Sequence, residues 1–308
     1  MTSPRPFAQI DVFTDQPGLG NPVAVVLDGS GLDDAAMQRF ARWTNLSETT
    51  FVLPPTEARA DYRLRIFTPG GELPFAGHPT LGSCFAWLAA GGRPQRADRV
   101  VQQCAKGLID IRRDIVDGRQ RLAFAAPPSA RSDPSPTVLA QVAQALGLQA
   151  TQVQRAQVLD NGPVWLGLLL DSVDTVLALA PDHARLAKLG QKVGVVGLHD
   201  AGAASLLIAR SSREARAFGA AASRAEAPRI EVRAFAAPIG VPEDPVTGSL
   251  NASLAQWLIA AGELPTRYVA AQGTALGRAG RVHVAQGEGG QVWVGGDCVR
   301  VIHGEVAL

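Results

Sequence analysis

Gly77-His78-Pro79-Thr80-Leu81-Gly82-Ser83 and Glu243-Asp244-Pro245-Val246-Thr247-Gly248-Ser249 each open a run of small and apolar residues. Laid over one another 166 residues apart, His78 falls on Asp244, Pro79 on Pro245, Gly82 on Gly248 and Ser83 on Ser249. Each stretch reads as a turn that starts a helix, with an ionisable side chain just before the start. A lone His-Pro or Glu-Asp-Pro step is an ordinary capping turn. Agreement at four positions with one offset points instead to two similar domains that build one site between them.

Outward from the first stretch, residues 81–89 form a helix that is apolar nearly all round, a composition that predicts burial. Gly91-Gly92 ends it. The second stretch leads into a like helix over 250–261 that stops at Gly262. Upstream, residues 7–13 and 23–27 read as strands, and 33–43 has helical spacing with Asp33 as N-cap. Strands are predicted up to Leu53 and over 62–68, with a turn over 69–74. Further strands lie over 100–103, 107–112 and 120–125, with hairpin turns near Lys106-Gly107 and Asp117-Gly118.

The segment 127–136, rich in Pro and Ser, is the expected domain boundary. Beyond it, helices are predicted over 138–146 and 182–189. Strands are expected over 164–170, 173–177, 193–198, 204–210 and 230–235. Four more close the chain over 268–272, 281–285, 292–295 and 298–305. Helices embedded among many short strands argue against a doubly wound parallel sheet. The expected class is α+β: two similar domains, each an antiparallel sheet curled into a barrel-like layer round a central buried helix.

Composition bounds the partners. The chain has 308 residues, a length that suits two domains, and 46% of them are hydrophobic. Its formal net charge is +1, and lysine stands only at 106, 188 and 192. Neither a basic stripe nor an aromatic platform points to nucleic acid, and nothing points to an anionic membrane. Cys84, Cys104 and Cys298 form no CxxC pair, which speaks for a reducing, cytoplasmic setting rather than a disulfide framework or a zinc site. Residues 1–5 lack the apolar core of a signal peptide, and 164–170 is too short to cross a bilayer.

The chemistry follows from the helix starts. Unpaired backbone N–H groups and the positive dipole end suit a carboxylate or a developing enolate oxygen. Such a cradle requires no metal, nucleotide or flavin. Ser83 and Ser249 add a hydroxyl each. Glu48, in Ser47-Glu48-Thr49-Thr50, lies at the mouth of an apolar strand. A glutamate there is either a surface residue or, turned into the cleft, a base whose pKa burial raises toward neutrality.

Asn21-Pro22-Val23-Ala24-Val25, Asn45-Leu46-Ser47-Glu48-Thr49-Thr50-Phe51, Arg65-Ile66-Phe67-Thr68-Pro69 and Glu72-Leu73-Pro74-Phe75-Ala76-Gly77-His78-Pro79-Thr80-Leu81-Gly82 are long, ordered landmarks. With the stretch from Glu243 to Ser249, they closely resemble the phenazine-biosynthesis PhzF-like family. The resemblance covers essentially the whole chain and implies a diaminopimelate epimerase-like fold. It implies domains over 1–127 and 128–297, with a last strand over 298–308 returning to the first. It also implies a homodimer, no cofactor, no metal and a small carboxylated substrate.

Carried over by resemblance, Glu48 is the base that removes and returns a proton. His78 and Asp244 are the polar pair that orients the substrate and assists transfer. Ser47, Gly77, Gly248 and Ser249 are substrate-binding positions. The expected activity is a cofactor-independent isomerase, trans-2,3-dihydro-3-hydroxyanthranilate being the substrate of the enzyme for which the family is named. Cysteine pairs serve the racemases of this fold, but no cysteine stands at either cleft stretch here. Two alternatives stay open: a thiol-independent amino-acid epimerase or racemase using Glu48 with Asp244 or His78, and a non-catalytic small-molecule binder.

Overall fold

A computed structural model describes residues 3–116, 118–199 and 227–308. The first half runs β1 (Pro4–Val12), β2 (Asn21–Val26), α1 (Asp34–Thr44), β3 (Thr49–Leu53), β4 (Tyr62–Thr68) and β5 (Gly71–Leu73). It continues with α2 (Gly77–Ala89), β6 (Arg99–Cys104), β7 (Gly107–Val116) and β8 (Arg119–Ala125). β9 (Ala130–Ser132) follows, and the second half then runs α3 (Pro136–Leu146), β10 (Val153–Asp160), β11 (Val164–Leu170) and α4 (Val173–Ala178). Next are α5 (His183–Leu189), β12 (Val193–Leu198), β13 (Ile230–Ala236) and β14 (Val241–Asp244). The chain closes with α6 (Gly248–Ala260), β15 (Arg267–Gln272), β16 (Gly280–Gln286), β17 (Val292–Gly296) and β18 (Cys298–Ala307).

Strand pairing repeats between the halves. In the first, β1–β2, β3–β4, β6–β7 and β7–β8 are antiparallel, while β2–β3 and β4–β6 are parallel. In the second, β10–β11, β12–β13, β15–β16 and β16–β17 are antiparallel, while β11–β12 and β13–β15 are parallel. Parallel neighbours need a crossover, and in both halves helices supply it. The halves join where β8 pairs with β17. Past that seam, counting β9 with the repeat that it follows, each repeat hands its last strand to the other: β9 pairs with β10, and β18 pairs with β1. The result is one curled sheet of mixed α+β architecture.

Alternation sorts the core. On β11, Leu166, Leu168 and Leu170 pack outward under α3, α4 and α5, while Trp165 and Leu169 join the inner core with α2 and α6. In the first half α1 plays the outer part, laying Met37, Phe40 and Ala41 on Val26, Phe51 and Phe67. The inner helices α2 and α6 each bury nine of their 13 residues. Their all-round apolar composition signals that central position.

Several local expectations need correction. Residues 173–177 are helical, because the Ser172 hydroxyl accepts the Thr175 N–H as an N-cap and outweighs the β-branched run. The turn over 69–74 contains β5, and β10 was not foreseen because its residues are mostly polar or half-buried. The boundary segment 127–136 also carries β9. Both inner helices begin earlier than expected, at Gly77 and Gly248. The strand expected over 204–210 and position 117 of the second hairpin turn lie outside the described residues. Among the described residues no helix is long and apolar enough to cross a membrane.

The repeat itself is displaced. Gly77 and Gly248 open helices of equal length, and they are 171 residues apart, not 166. The structural counterpart of His78 is therefore Ser249. Asp244 stands instead at the end of β14, before the second helix. The ionisable side chain precedes the helix only in the second half, since His78 is the second residue of α2.

Candidate active site

Neither inner helix has a side-chain cap. Ala76 precedes α2, Thr247 precedes α6, and neither side chain accepts a first-turn N–H. Pro79 fits the first turn of α2, where its missing N–H removes no intrahelical bond. The two starts meet: a Cβ on Gly77 would lie 2.8 Å from Phe124 Cζ and 3.3 Å from Gly248 Cα. Glycine at both positions permits this approach, and the positive ends of two helix dipoles converge there.

Against this seam lies an acidic pair with a histidine. Glu48 ends the turn after α1, just before β3, and its carbonyl accepts the Ala24 N–H of β2. Its Oε2 stands 3.3 Å from His78 Nε2. The His78 side chain is 6% exposed and that of Glu48 15%, and the two facing atoms, Glu48 Oε2 and His78 Nε2, are buried. On the other side of the imidazole, Asn21 Nδ2 stands 3.3 Å from His78 Nδ1 and donates to Asp244 Oδ1 at 2.8 Å and to the Val246 carbonyl at 2.9 Å. Asn21 therefore ties the two halves together at the site.

A buried amide network fixes Asp244. Thr247 Oγ1 donates to Asp244 Oδ2 at 2.6 Å, and Gln272 Nε2 donates to the Asp244 carbonyl at 3.1 Å. Asn251 Nδ2 donates in turn to Gln272 Oε1 and to the Thr247 carbonyl. Asn21 and Gln272 were not singled out as site residues from sequence. The available signal was weak: a buried amide at the end of an otherwise apolar strand.

Burial dominates the electrostatics. It pushes Glu48 up to about 7, tempered by the Ser47 hydroxyl beside it. It pushes His78 down to about 4, against the pull of the Asp244 charge and the Pro22 carbonyl. Asp244 rises to about 6, again by burial first. At neutral pH the imidazole is thus uncharged, and Glu48 is poised between its two forms. Such a carboxyl can both accept and deliver a proton.

Of the residues expected at the site, Glu48, Ser47, His78, Asp244, Gly77 and Gly248 gather round the two helix starts. Ser249, the second residue of α6, sits beside them. Ser83 does not: it is fully buried within α2 and shares a 2.8 Å hydrogen bond with Thr50. The cysteines stay apart as well. Cys84 is a core residue whose thiol burial pushes up to about 12, and burial raises Cys104 and Cys298 too. Among the described residues no group of three or more His, Cys, Asp or Glu is placed to hold a metal ion.

Comparison with known proteins agrees with this fold. A family model described as phenazine biosynthesis-like protein matches residues 10–304. Antisense-enhancing sequence 1 of Schizosaccharomyces pombe is 35% identical over 97% of this chain and 97% of its own length. The trans-2,3-dihydro-3-hydroxyanthranilate isomerase of Pseudomonas aeruginosa is 33% identical over 93% of this chain and 92% of its own. Among solved structures, a PhzF-family phenazine biosynthesis protein of Bacillus anthracis has the same fold. Its TM-score is 0.80 at 21% identity, covering 99% of this chain and 100% of that one.

Proposed function

The chain belongs to the phenazine biosynthesis-like family, and on that premise we propose that it is an isomerase that shifts a proton within a small carboxylated molecule, with Glu48 as the base. The observation that carries this reading is the buried contact between Glu48 Oε2 and His78 Nε2, 3.3 Å apart, beside two converging helix starts. Ionised Glu48 takes a proton from a substrate carbon. The electron pair left behind spreads through the conjugated substrate toward its carboxylate. First-turn N–H groups of α2 and α6, with Ser47 and Ser249, hold that carboxylate and stabilise the added charge. Glu48, now protonated, returns the proton to a second carbon.

The step is redox-neutral and balanced with one carboxylate, so the proposal includes no cofactor. Neutral His78 and Asp244 orient the substrate from opposite sides of Asn21. The site lies between residues 1–127 with 298–308 and residues 128–297 in this reading. The substrate of the Pseudomonas relative, trans-2,3-dihydro-3-hydroxyanthranilate, is the first compound to test.

Incubation with that compound should change its ultraviolet absorbance as the double bonds move. Glu48→Gln should lower turnover by about 10²- to 10⁴-fold, the usual contribution of a general base. In the parent, kcat/KM should rise with pH and level off above about 7, as Glu48 ionises. A Glu48→Gln variant that turns over like the parent would remove the base assignment and favour a non-catalytic binder. The buried, high-pKa cysteines give no support to a two-thiol racemase.

A further inference from the structure

We propose that the β10–β11 hairpin, through Trp165 and Asn161, sets the Ser249 hydroxyl as a hydrogen-bond donor directed at the substrate's carboxylate. This rests on the proposed carboxylate-binding role of Ser249. Trp165 Nε1 donates to Ser249 Oγ at 3.2 Å. An indole N–H can only donate, so one lone pair of the hydroxyl is occupied and its proton must point elsewhere. Trp165 is 4% exposed and Asn161 7%, whereas Ser249 is half-buried. With the hairpin side of its oxygen taken by the indole, Ser249 keeps its proton for an acceptor on another side.

The hairpin is built to hold this geometry. Asp160 pairs with Val164 at the end of the ladder. Gly162 has φ +118° in the turn between them, and its N–H is accepted by Asp160 Oδ1. Asn161 Nδ2 donates to the Ser249 carbonyl at 2.9 Å and so fixes the backbone of the residue whose hydroxyl Trp165 orients. Lys192 Nζ stands 5.1 Å from the Trp165 ring centroid, where cation–π attraction helps keep the indole in place.

The internal repeat gives independent support. The β1–β2 pair is the topological counterpart of β10–β11, and His78 is the counterpart of Ser249. In the first half Asn21, at the start of β2, reaches the second residue of α2 with its amide; in the second, Asn161 reaches the second residue of α6. Each half thus braces the same helix position from the same strand pair. In the first half the braced group is the imidazole against Glu48. In the second it is a hydroxyl with a hydrogen free to donate. Trp165 and Asn161 are positioning residues for it.

Two probes separate the possibilities: 3-hydroxyanthranilate, and 2-aminophenol, the same ring without the carboxylate. Calorimetric titration of the parent protein should show a clear preference for 3-hydroxyanthranilate. Trp165→Phe should weaken that ligand about tenfold, the scale of one charge-assisted hydrogen bond, and leave 2-aminophenol unmoved. Ser249→Ala should do the same, and the double variant should be no worse than Ser249→Ala, because both changes remove one interaction. If Trp165→Phe fails to fold, Asn161→Ala takes its place with the same expected selectivity. A parent protein without preference for the carboxylated probe overturns the carboxylate reading, and this inference with it. A parent with the preference, lost in Ser249→Ala but kept in the hairpin variants or lost additively, overturns this inference alone.

Discussion

Glu48 is legible in sequence as a glutamate at the mouth of an apolar strand, yet sequence leaves open whether it faces solvent. The fold places it against His78, and burial raises it to about 7 from an ordinary 4.5. Between these values the folded protein holds a proton that the unfolded chain has lost, so stability falls as pH rises through that window. Asp244 acts with the same sign between 3.8 and about 6. His78, lowered from 6.5 to about 4, acts with the opposite sign over its own window. Glu48→Gln removes the first of these contributions and, by removing a neighbouring charge that raises Asp244, reduces the second, which has the same sign. Thermal denaturation from pH 4 to 8 should therefore show the variant gaining on the parent as pH rises; parallel curves would mean that Glu48 is not held in a desolvating site.

At the scale of elements, the two helix starts depend on glycine. A methyl group on Gly77 would press on Phe124 at 2.8–2.9 Å and on Gly248 Cα at 3.3 Å. Gly77→Ala should cost about 1–3 kcal/mol in urea denaturation, the range for overpacking a tight core. It should also widen the seam and lower turnover. Unchanged stability would show that the seam gives way freely. β14, which delivers Asp244, is anchored by a buried ion pair: Arg233 bonds Glu243 through two contacts of 2.8 and 2.9 Å. Arg233 also donates to the carbonyls of Val176 and Leu179. Glu243→Gln leaves that guanidinium short of its counter-charge and should cost about 3–5 kcal/mol by the same measurement. A loss below 1 kcal/mol would show that the carbonyls alone satisfy Arg233. The opening turns and an all-round apolar composition identified both buried helices, whereas α4 was missed because a single capping hydroxyl decides six residues.

Across the whole molecule, the exchange of β9 and β18 holds the repeats in one sheet. β18 covers β1 along nearly its full length, from Pro4 opposite Ala307 to Val12 opposite Cys298. Removal of residues 298–308 should expose β1 as a bare edge and turn a monodisperse protein into higher aggregates on size-exclusion chromatography. A truncated chain that elutes and melts like the parent would show that the exchange is dispensable. Sequence alone determined the α+β class, the presence of a duplication and the two buried helices, because turn chemistry and side-chain composition act over a few neighbouring residues. Tertiary structure decided which residues correspond and which meet. It matched His78 with Ser249 rather than with Asp244, brought Asn21 to Asp244, and set Trp165 on Ser249. These partners are 223 and 84 residues apart in the chain. Only strand order and register bring such distant side chains together, and no local pattern records them.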